Sequence, residues 1–457
     1  MKQELPVKKN EQLIVTVSDL THEGLGVAKI DGYPLFIENA LPDEVVKIHV
    51  LNTGKKFGYA KALEWKETSP VRAESFDTTL IRTGIAPLLH LKYHQQLAFK
   101  RRQIVNNMAK IAGMPEVPVS ETIGMEKPFG YRNKAQIPVQ LVNGQLETGF
   151  YRKNSHVLVP IEDFCIQNPV IDTTVVKVRN ILREVRAEPY NEQQHTGDIR
   201  HIVIRLGHYS HELMIILVTR KPTLPGEKFI VKRIVEEVHG VNSIIQNINT
   251  QKTNVILGKE DKVLYGKATI TDMLSGNKYE ISPQSFYQVN TEMAEVLYQT
   301  GTDFAKLSKD DVVIDAYCGI GTIGQSLASR VKHVYGMEIV PQAIVDAKKN
   351  AEVNGHSNTT YIAGKAEDVM RDWLKEGINP AVIFVDPPRK GLDPDFIKIS
   401  AEMQPRKIIY ISCNSATFAR DAKIYHELGY NVEKIQPVDL FPQTHHIELA
   451  ALLTIRH

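Results

Sequence analysis

The segment IIYISCNSATFARD, residues 408–421, puts a cysteine where a thiol can take part in catalysis. Cys413 lies just past a short apolar run, residues 408–411, whose length and β-branched side chains predict a buried strand of a parallel sheet. Ligands of open α/β sheets bind at the carboxyl ends of the strands, and a thiolate there is a strong nucleophile. Free cysteines are also common as small buried apolar residues, so both interpretations of Cys413 remain open at this point.

A second segment, DAYCGIGTIG at residues 315–324, predicts a nucleoside-binding edge on the same sheet. It follows a predicted strand and opens a predicted helix, with glycines where the backbone must approach a ligand closely. Glu338 lies about twenty residues further on, at the end of the next predicted strand, where a carboxylate accepts hydrogen bonds from ribose hydroxyls. This pattern does not distinguish a nicotinamide enzyme from an S-adenosylmethionine enzyme, because both use the same turn.

Two further carboxylates complete the set of candidate catalytic groups. Asp386 stands with two prolines at the end of the predicted strand in VIFVDPPRKG, a turn that is typical of methyltransferases acting on nucleic-acid bases. The alternative is that the prolines only close the strand. Glu448 lies in the strand-like run of VDLFPQTHHIELAALL, and a buried carboxylate is costly unless it has a partner or a task. The alternative for Glu448 is a solvent-facing position on an edge strand.

These groups suit methylation of uracil at C5. C5 of uracil is a weak nucleophile, but a thiolate that adds to C6 converts the ring into an enolate whose C5 attacks a methyl sulfonium. A base must then remove the C5 proton so that the thiolate can leave. Cys413, Glu448 and the nucleoside-binding edge match these three requirements.

The chain of 457 residues is too long for one hydrophobic core and predicts a multidomain α/β protein. Residues 1–65 show short alternating segments broken by glycines, which predicts a small five-stranded OB-like β-barrel that binds nucleic acid or, alternatively, only spaces the domains. Residues 66–284 predict an α+β domain that also binds RNA, and we expect its helix at 92–113 to pack on the catalytic domain. Residues 285–457 alternate strands with helices and predict a Rossmann-like, doubly wound parallel sheet.

The formal net charge is only +2, but lysines and arginines form local clusters in the first third of the chain. Basic surfaces of this kind suit a polyanion such as RNA. We expect phosphate contacts from two pairs, Lys55 with Lys56 in the tract KKFGY and Arg132 with Lys134. The alternative is that these clusters are ordinary solvated faces.

The sequence contains no apolar run near the ~20 residues of a membrane span, and its N-terminus lacks the apolar core of a signal peptide. We therefore expect a cytoplasmic protein without a membrane partner, and a monomer. Three cysteines, far apart in the sequence, argue against a disulfide framework.

Five motifs follow one another in the order SPQSFYQVN, DAYCGIGT, DPPRKG, YISCNSATFARD and FPQTHHIE. With them, essentially the whole chain resembles the RumA/TrmA class of RNA (uracil-5-)-methyltransferases. The resemblance implies S-adenosylmethionine as cofactor, Cys413 as the nucleophile and Glu448 as the base. It also implies that Phe286 packs near the target base and that four side chains contact the methyl donor. These four are Gln288, Tyr317, Glu338 and Asp386.

The stretch THEGLGVAKIDGYPLFIENALPDE, residues 21–44, resembles a TRAM domain. Members of the class that act on ribosomal RNA carry this domain, and members that act on transfer RNA typically lack it. Together with a full-length similarity to the Gram-positive RlmCD type, it implies C5-methylation of one or two uridines in 23S rRNA, either naked or in an early ribosomal intermediate. The alternatives are C5-methylation of the T-loop uridine of tRNA, and a non-catalytic RNA-binding or folding factor.

One tract departs from the class. Many members hold an iron–sulfur cluster with four cysteines, but three of these positions are here Asp77, Thr83 and Ala86, and only Cys165 remains. A single thiolate cannot hold such a cluster. We therefore expect no iron–sulfur cluster and no other metal, with apolar packing in its place. The expected packing residues are Ile81, Ile85, Leu88 and Leu89.

Overall fold

The computed structural model of the protein describes residues 5–456, which form three packed units in chain order. Sheets of different kinds, joined by helices, confirm the predicted multidomain α/β fold class. Within the described residues, no helix has the length and apolar character needed to cross a membrane.

The first unit is a small closed barrel. Its strands are β1 (Gln12–Thr16), β2 (Asp19–Leu20), β3 (Gly26–Ile30), β4 (Tyr33–Glu38), β5 (Val45–Thr53) and β6 (Gly58–Glu67). They pair in the order β1-β5-β6-β4-β3-β2, and β1 and β2 are two parts of one bent strand that pairs with β5 at one end and β3 at the other. The sheet therefore closes on itself, and the predicted five strands become six because the bent strand counts twice.

Two helices connect the barrel to the second unit. They are α1 (Thr78–Arg82) and α2 (Tyr93–Asn107), and α2 continues as one π-helical turn at Met108–Ala112. The turn ends at Gly113, whose φ of 71° is the left-handed conformation that glycine adopts without strain. The single helix predicted at 92–113 is thus α-helical only in its first part.

Helix α2 lies on the C-terminal unit. Ile104 and Met108 are buried in that unit's core, against Phe418 among others. Lys100 reaches Asp439 at 2.6 Å, and both side chains are fully buried. A buried ion pair is costly to break, so this contact holds the segment after residue 439 in place.

The second unit is a seven-stranded sheet. Its strands are β7 (Lys134–Val142), β8 (Gln145–Tyr151), β9 (Leu158–Pro160), β10 (Ile199–Leu206), β11 (Leu213–Thr219), β12 (Val241–Ile248) and β13 (Glu260–Gly266), with helices α3 (Pro169–Glu184) and α4 (Glu227–Glu237) on one face. The strands pair in the order β13-β12-β11-β10-β7-β8-β9. A separate hairpin, β14 (Ile270–Leu274) and β15 (Asn277–Ile281), follows.

Both faces of this central sheet are buried, which explains the continuous apolar runs of β10 and β11. Ile202 and Ile204 face α3 and α4, whereas Val203 and Met214 face the core of the C-terminal unit. The hairpin β14–β15 also packs into the C-terminal core, although it precedes residue 285. The domain limits 1–65, 66–284 and 285–457 remain predictions.

The third unit is a Rossmann-like sheet. Its elements are α5 (Thr291–Ala305), β16 (Val312–Ala316), α6 (Thr322–Ala328), β17 (His333–Glu338), α7 (Pro341–Val353), β18 (Thr359–Ala363), α8 (Ala366–Lys375), β19 (Val382–Val385), α9 (Pro394–Glu402), β20 (Lys407–Ser412), α10 (Ser415–Glu427), β21 (Tyr430–Val438) and β22 (Glu448–Ile455). The order is β18-β17-β16-β19-β20-β22-β21, and β22 runs antiparallel to both neighbours. This reversal brings the start of β22 to the edge where the parallel strands end.

Candidate active site

One cavity of about 1240 Å³ lies at that edge, between the central and C-terminal units. Nine of the eleven site residues predicted from the sequence line it. They are Arg132, Lys134, Phe286, Gln288, Tyr317, Glu338, Asp386, Cys413 and Glu448. The other two, Lys55 and Lys56, are exposed on the barrel between β5 and β6.

The sheet register brings Cys413 and Glu448 to the same place. Ser412 pairs with Leu449 at the last step of the antiparallel β20–β22 ladder, so Cys413 and Glu448 each lie one residue beyond this pair. Both line the cavity, and the charge of Glu448 acts on the Cys413 thiol. The turn after Cys413 is tied down at Asn414, whose backbone N–H donates to Ser412 Oγ at 3.1 Å and whose side chain caps helix α10. The thiol therefore stands at a fixed position between a strand and a helix.

Burial and nearby negative charges raise the pKa values of the candidate catalytic groups. Burial raises the pKa of Cys413 to about 11, helped by the carboxylates of Glu448 and Asp386. Burial also raises the pKa of Asp386 to about 7. For Glu448, which is 8 % exposed, burial and then the charge of Asp386 hold the pKa well above its usual range.

Two residues that lie near Cys413 and Glu448 were not predicted as site residues from the sequence. Arg389 lines the cavity and lowers the pKa values of both Cys413 and Glu448 through its positive charge. His446 also lines it, and burial followed by the charge of His445 lowers its pKa to about 4, so it is neutral at pH 7. The available signal was their position inside the motifs DPPRKG and FPQTHHIE.

The loop after β16 forms the predicted nucleoside-binding edge. Tyr317 and Gly319 have φ values of 65° and 54°, and the tyrosine conformation is a strain that functional loops often carry. At the end of β17, Glu338 Oε1 accepts the backbone N–H of Val340 at 3.0 Å. Asp315 does not line the cavity, since it is fully buried and accepts the Gly324 N–H at 2.7 Å. Asp315 therefore stabilises the loop but does not itself reach the cavity.

This edge fits S-adenosylmethionine by the chemistry of its side chains. Glu338 offers a carboxylate to ribose hydroxyls, and Asp386 offers a negative charge to the sulfonium. Gln288 is held by a hydrogen bond from its Nε2 to Tyr298 Oη at 3.2 Å. The pairing of these residues with the donor remains a prediction.

The wall of the cavity opposite the Rossmann-like sheet carries basic side chains. Burial, with the charges of Arg205 and Arg132, lowers the pKa of Lys134 to about 7. Between the two predicted phosphate-binding residues, Asn133 donates its backbone N–H to Val289 O at 2.9 Å and its side-chain amide to Gln288 O at 2.9 Å. The basic wall is thus joined directly to the segment that carries Phe286, whose side chain is 73 % exposed.

Comparison with known proteins places this site in a family. Residues 92–456 match the family model described as tRNA (uracil-5-)-methyltransferase, and residues 6–63 match the TRAM domain. The chain belongs to the tRNA (uracil-5-)-methyltransferase family. The activity of this family is methylation of uracil C5 in RNA with S-adenosylmethionine. The family and the TRAM domain predicted from the sequence are therefore confirmed.

Relatives of this methyltransferase match it over nearly its whole length. An uncharacterized RNA methyltransferase of Streptococcus agalactiae is 55% identical over 97% of this chain and 99% of its own, and one of Streptococcus mutans is 53% identical over 98% and 99%. Among solved structures, the Pyrococcus abyssi tRNA (uracil-54, C5)-methyltransferase in complex with S-adenosyl-L-homocysteine matches with a TM-score of 0.76. It is 27% identical and covers 97% of this chain and 100% of its own.

In this methyltransferase the residues that stand in place of the iron–sulfur ligands have structural roles. Asp77 caps helix α1 by accepting the Thr79 N–H at 2.7 Å, Thr83 Oγ1 donates to Thr79 O at 2.9 Å, and Ala86 is fully buried. Burial raises the pKa of Cys165 to about 12. The four predicted packing residues are all buried, three of them in the core of the central unit and Leu88 in a cluster next to the barrel.

Within residues 5–456 no group of three or more histidine, cysteine, aspartate or glutamate side chains is placed to hold a metal ion. The expected absence of an iron–sulfur cluster remains a prediction.

Proposed function

We propose that the protein methylates C5 of one or two uridines in 23S rRNA through a covalent adduct between Cys413 and C6 of the base. The observation that supports this proposal is that Cys413 and Glu448, each one residue beyond the last pair of the β20–β22 ladder, line the same cavity as Glu338 and Asp386. The residues proposed as nucleophile, base and donor contacts therefore all line one cavity.

The reaction begins when the Cys413 thiol gives its proton to water, and the sulfur regains a proton from water after it has left C6 at the end of the cycle. The sulfur then bonds to C6 and the ring becomes an enolate. Arg389 favours this step because its charge stabilises the thiolate, in opposition to burial and to Glu448. The donor supplies the methyl group as the electrophile that C5 attacks.

Glu448 completes the reaction. Its carboxylate takes the C5 proton, the C5–C6 double bond re-forms, and the sulfur leaves C6 as thiolate. Because burial raises its pKa, the Glu448 carboxylate is a stronger base than an exposed one, and Arg389 keeps its ionised form accessible. The proton passes to water, so one proton is released for each methyl group transferred.

The RNA is held by three groups of side chains in this proposal. Phe286 packs on the target base, Arg132 and Lys134 contact the phosphate next to it, and Lys55 and Lys56 contact phosphates further along the strand. Target uridines inside folded RNA must leave their stack to reach the cavity, as in other enzymes that act on bases.

The second candidate function is C5-methylation of the T-loop uridine of tRNA. It is favoured by the match to the archaeal tRNA (uracil-54, C5)-methyltransferase. Since that match covers 97% of this chain, the barrel does not by itself choose between the two RNAs. The proposal of 23S rRNA rests on the resemblance to the RlmCD type. A non-catalytic RNA-binding role is disfavoured because such a protein has no use for a thiol and a buried carboxylate in one cavity.

The deciding experiment is a map of 5-methyluridine in 23S rRNA and tRNA from cells with and without the gene. Loss of 5-methyluridine from 23S rRNA alone supports the proposal. Loss from the T-loop of tRNA alone refutes it in favour of the second candidate. The cytoplasmic location and the monomeric state remain predictions.

A further inference from the structure

Three aromatic side chains form a cluster on the outer face of the barrel. Phe36 on β4 pairs with Tyr59 on β6, and Phe57 precedes β6. Ring centroids are 5.3 Å apart for Phe36 and Phe57, 5.7 Å for Phe36 and Tyr59, and 5.7 Å for Phe57 and Tyr59. We call these three residues the barrel aromatic cluster.

The cluster does not belong to the core of the barrel. Leu35 and Ile37, the neighbours of Phe36 on β4, point inward and are fully buried, so Phe36 points outward. Phe57 is 40 % exposed and Tyr59 is 43 % exposed. Large rings grouped on a surface mark an interaction site, whereas scattered ones do not.

The loop that carries Phe57 is held in position. Gly54 donates its backbone N–H to Phe57 O at 2.9 Å, and Tyr33 Oη donates to Gly54 O at 2.9 Å. These two bonds fix the loop against the barrel. The ring of Phe57 is therefore presented in one place, which lowers the entropy cost of binding to it.

The surroundings of the cluster are cationic. Lys55 and Lys56 are exposed and directly precede Phe57. On the neighbouring strand, Lys29 is exposed and lies two residues from Val27, the pairing partner of Phe36. Cations beside exposed rings match a nucleic-acid strand, whose phosphates are negative and whose bases have flat apolar faces.

We propose that the barrel aromatic cluster is a stacking site for an unpaired nucleotide of the RNA, outside the cavity that takes the target uridine. Phe57 and Tyr59 stack on the base, and Lys55 and Lys56 contact its phosphates. Every base has a flat face, so the site selects single-stranded RNA but not its sequence. This inference rests on the proposed function in so far as RNA is the substrate.

The test compares Phe57→Ala and Tyr59→Ala with the control Leu63→Ala, which removes an apolar side chain of 41 % exposure from the same strand, β6. The probes are a 20-nucleotide oligouridine with one 2-aminopurine, and a blunt RNA duplex of the same length. Each ring removed should weaken binding of the single strand by about 5-fold or more and reduce the quenching of 2-aminopurine. Duplex binding and the slope of log affinity against log salt should not change, because stacking releases no counterions.

Tyr59→Phe keeps the ring and should retain wild-type affinity. Equal melting temperatures of the alanine variants and the control show that the barrel still folds. Unchanged single-strand affinity in both alanine variants overturns the proposal. It is also overturned if duplex binding falls equally, or if the variants change only self-association in sedimentation, which would make the cluster a contact between two copies of the chain.

A failure of the proposed function is recognised by a different experimental result. It appears as wild-type protein that transfers no methyl group to 23S rRNA, whatever the stacking measurements show.

Discussion

The sharpest test of the mechanism is the substitution Glu448→Gln. It keeps the size of the side chain and removes the carboxylate whose charge acts on Cys413. Addition of the thiol and methyl transfer do not need this base, but loss of the C5 proton does. The variant should therefore accumulate a methylated RNA–protein adduct joined through Cys413.

The size of the effect follows from the role of the group. A positioned base contributes about 10²- to 10⁴-fold, so release of the adduct should slow by that factor. A slowing of this size is easily seen, because the adduct survives denaturing electrophoresis as a band of reduced mobility that carries label from the methyl donor. Single-turnover samples give its rate of decay.

The same substitution should make the thiol more acidic. In the wild-type protein a Cys413 pKa of about 11 leaves only about one thiol in 10⁴ ionised at pH 7. Since the charge of Glu448 contributes to that raised pKa, Glu448→Gln should move it down, toward the ordinary thiol value. The pH dependence of iodoacetamide alkylation of Cys413 measures the shift.

Two controls sharpen the result. Glu433→Gln changes an exposed glutamate on β21 and should behave as wild type in both assays. Cys413→Ala, alone or combined with Glu448→Gln, should give neither adduct nor methylation. If Glu448→Gln forms no adduct and turns over normally, Glu448 is a structural carboxylate and the proton leaves by another route, with Asp386 as the next residue to test.

Four further predictions concern the donor, the RNA and the metal. Glu338→Ala should weaken binding of S-adenosylhomocysteine by about 1.5 to 3 kcal/mol in calorimetry, with RNA affinity unchanged, and wild-type affinity would refute its ribose contact. Neutralising Lys55 or Lys56 should lower the slope of log RNA affinity against log salt by about 0.7 to 1 per contact, whereas an unchanged slope would mean a merely solvated face. Because the pKa of Lys134 is about 7, its cation is lost as pH rises, so RNA affinity should fall from pH 6 to 8 in wild type but not in Lys134→Arg. The protein purified without oxygen should be colourless, and stoichiometric iron and sulfide on elemental analysis would contradict this.

Much of the candidate site could be named from the sequence because its residues lie in short motifs. Cys413 and Asp386 each follow an apolar run that had to be a buried strand, so both had to stand at the carboxyl edge of one parallel sheet. The regular alternation of strands and helices also predicted the Rossmann-like fold correctly. Arg389 was missed because its charge acts through space on Cys413 and Glu448, which are distant from it in the sequence. His446 was missed although it lies two residues before Glu448 in the same motif.

Other features of the structure could not be predicted from the local sequence. The π-helical turn at Met108–Ala112 occurs where α2 packs on the C-terminal core, and a sequence with helical spacing does not show that change. The buried ion pair of Lys100 with Asp439 joins residues more than 300 positions apart. In the sequence, Lys100 is followed by Arg101 and Arg102, and such a basic run gives no sign that its first member is buried.

The sequence by itself predicted the candidate thiol, base and donor edge and the N-terminal barrel, because each prediction depends on residue types at short spacing. The tertiary structure decided how these parts meet. The reversed strand β22 brings Glu448 to the cavity that Cys413 also lines, and burial there raises the pKa values of both groups. Pairing of β4 with β6 likewise brings Phe36 to the aromatic residues of KKFGY. Such contacts arise from strand order and solvent exclusion, which are properties of the folded chain and not of any one segment.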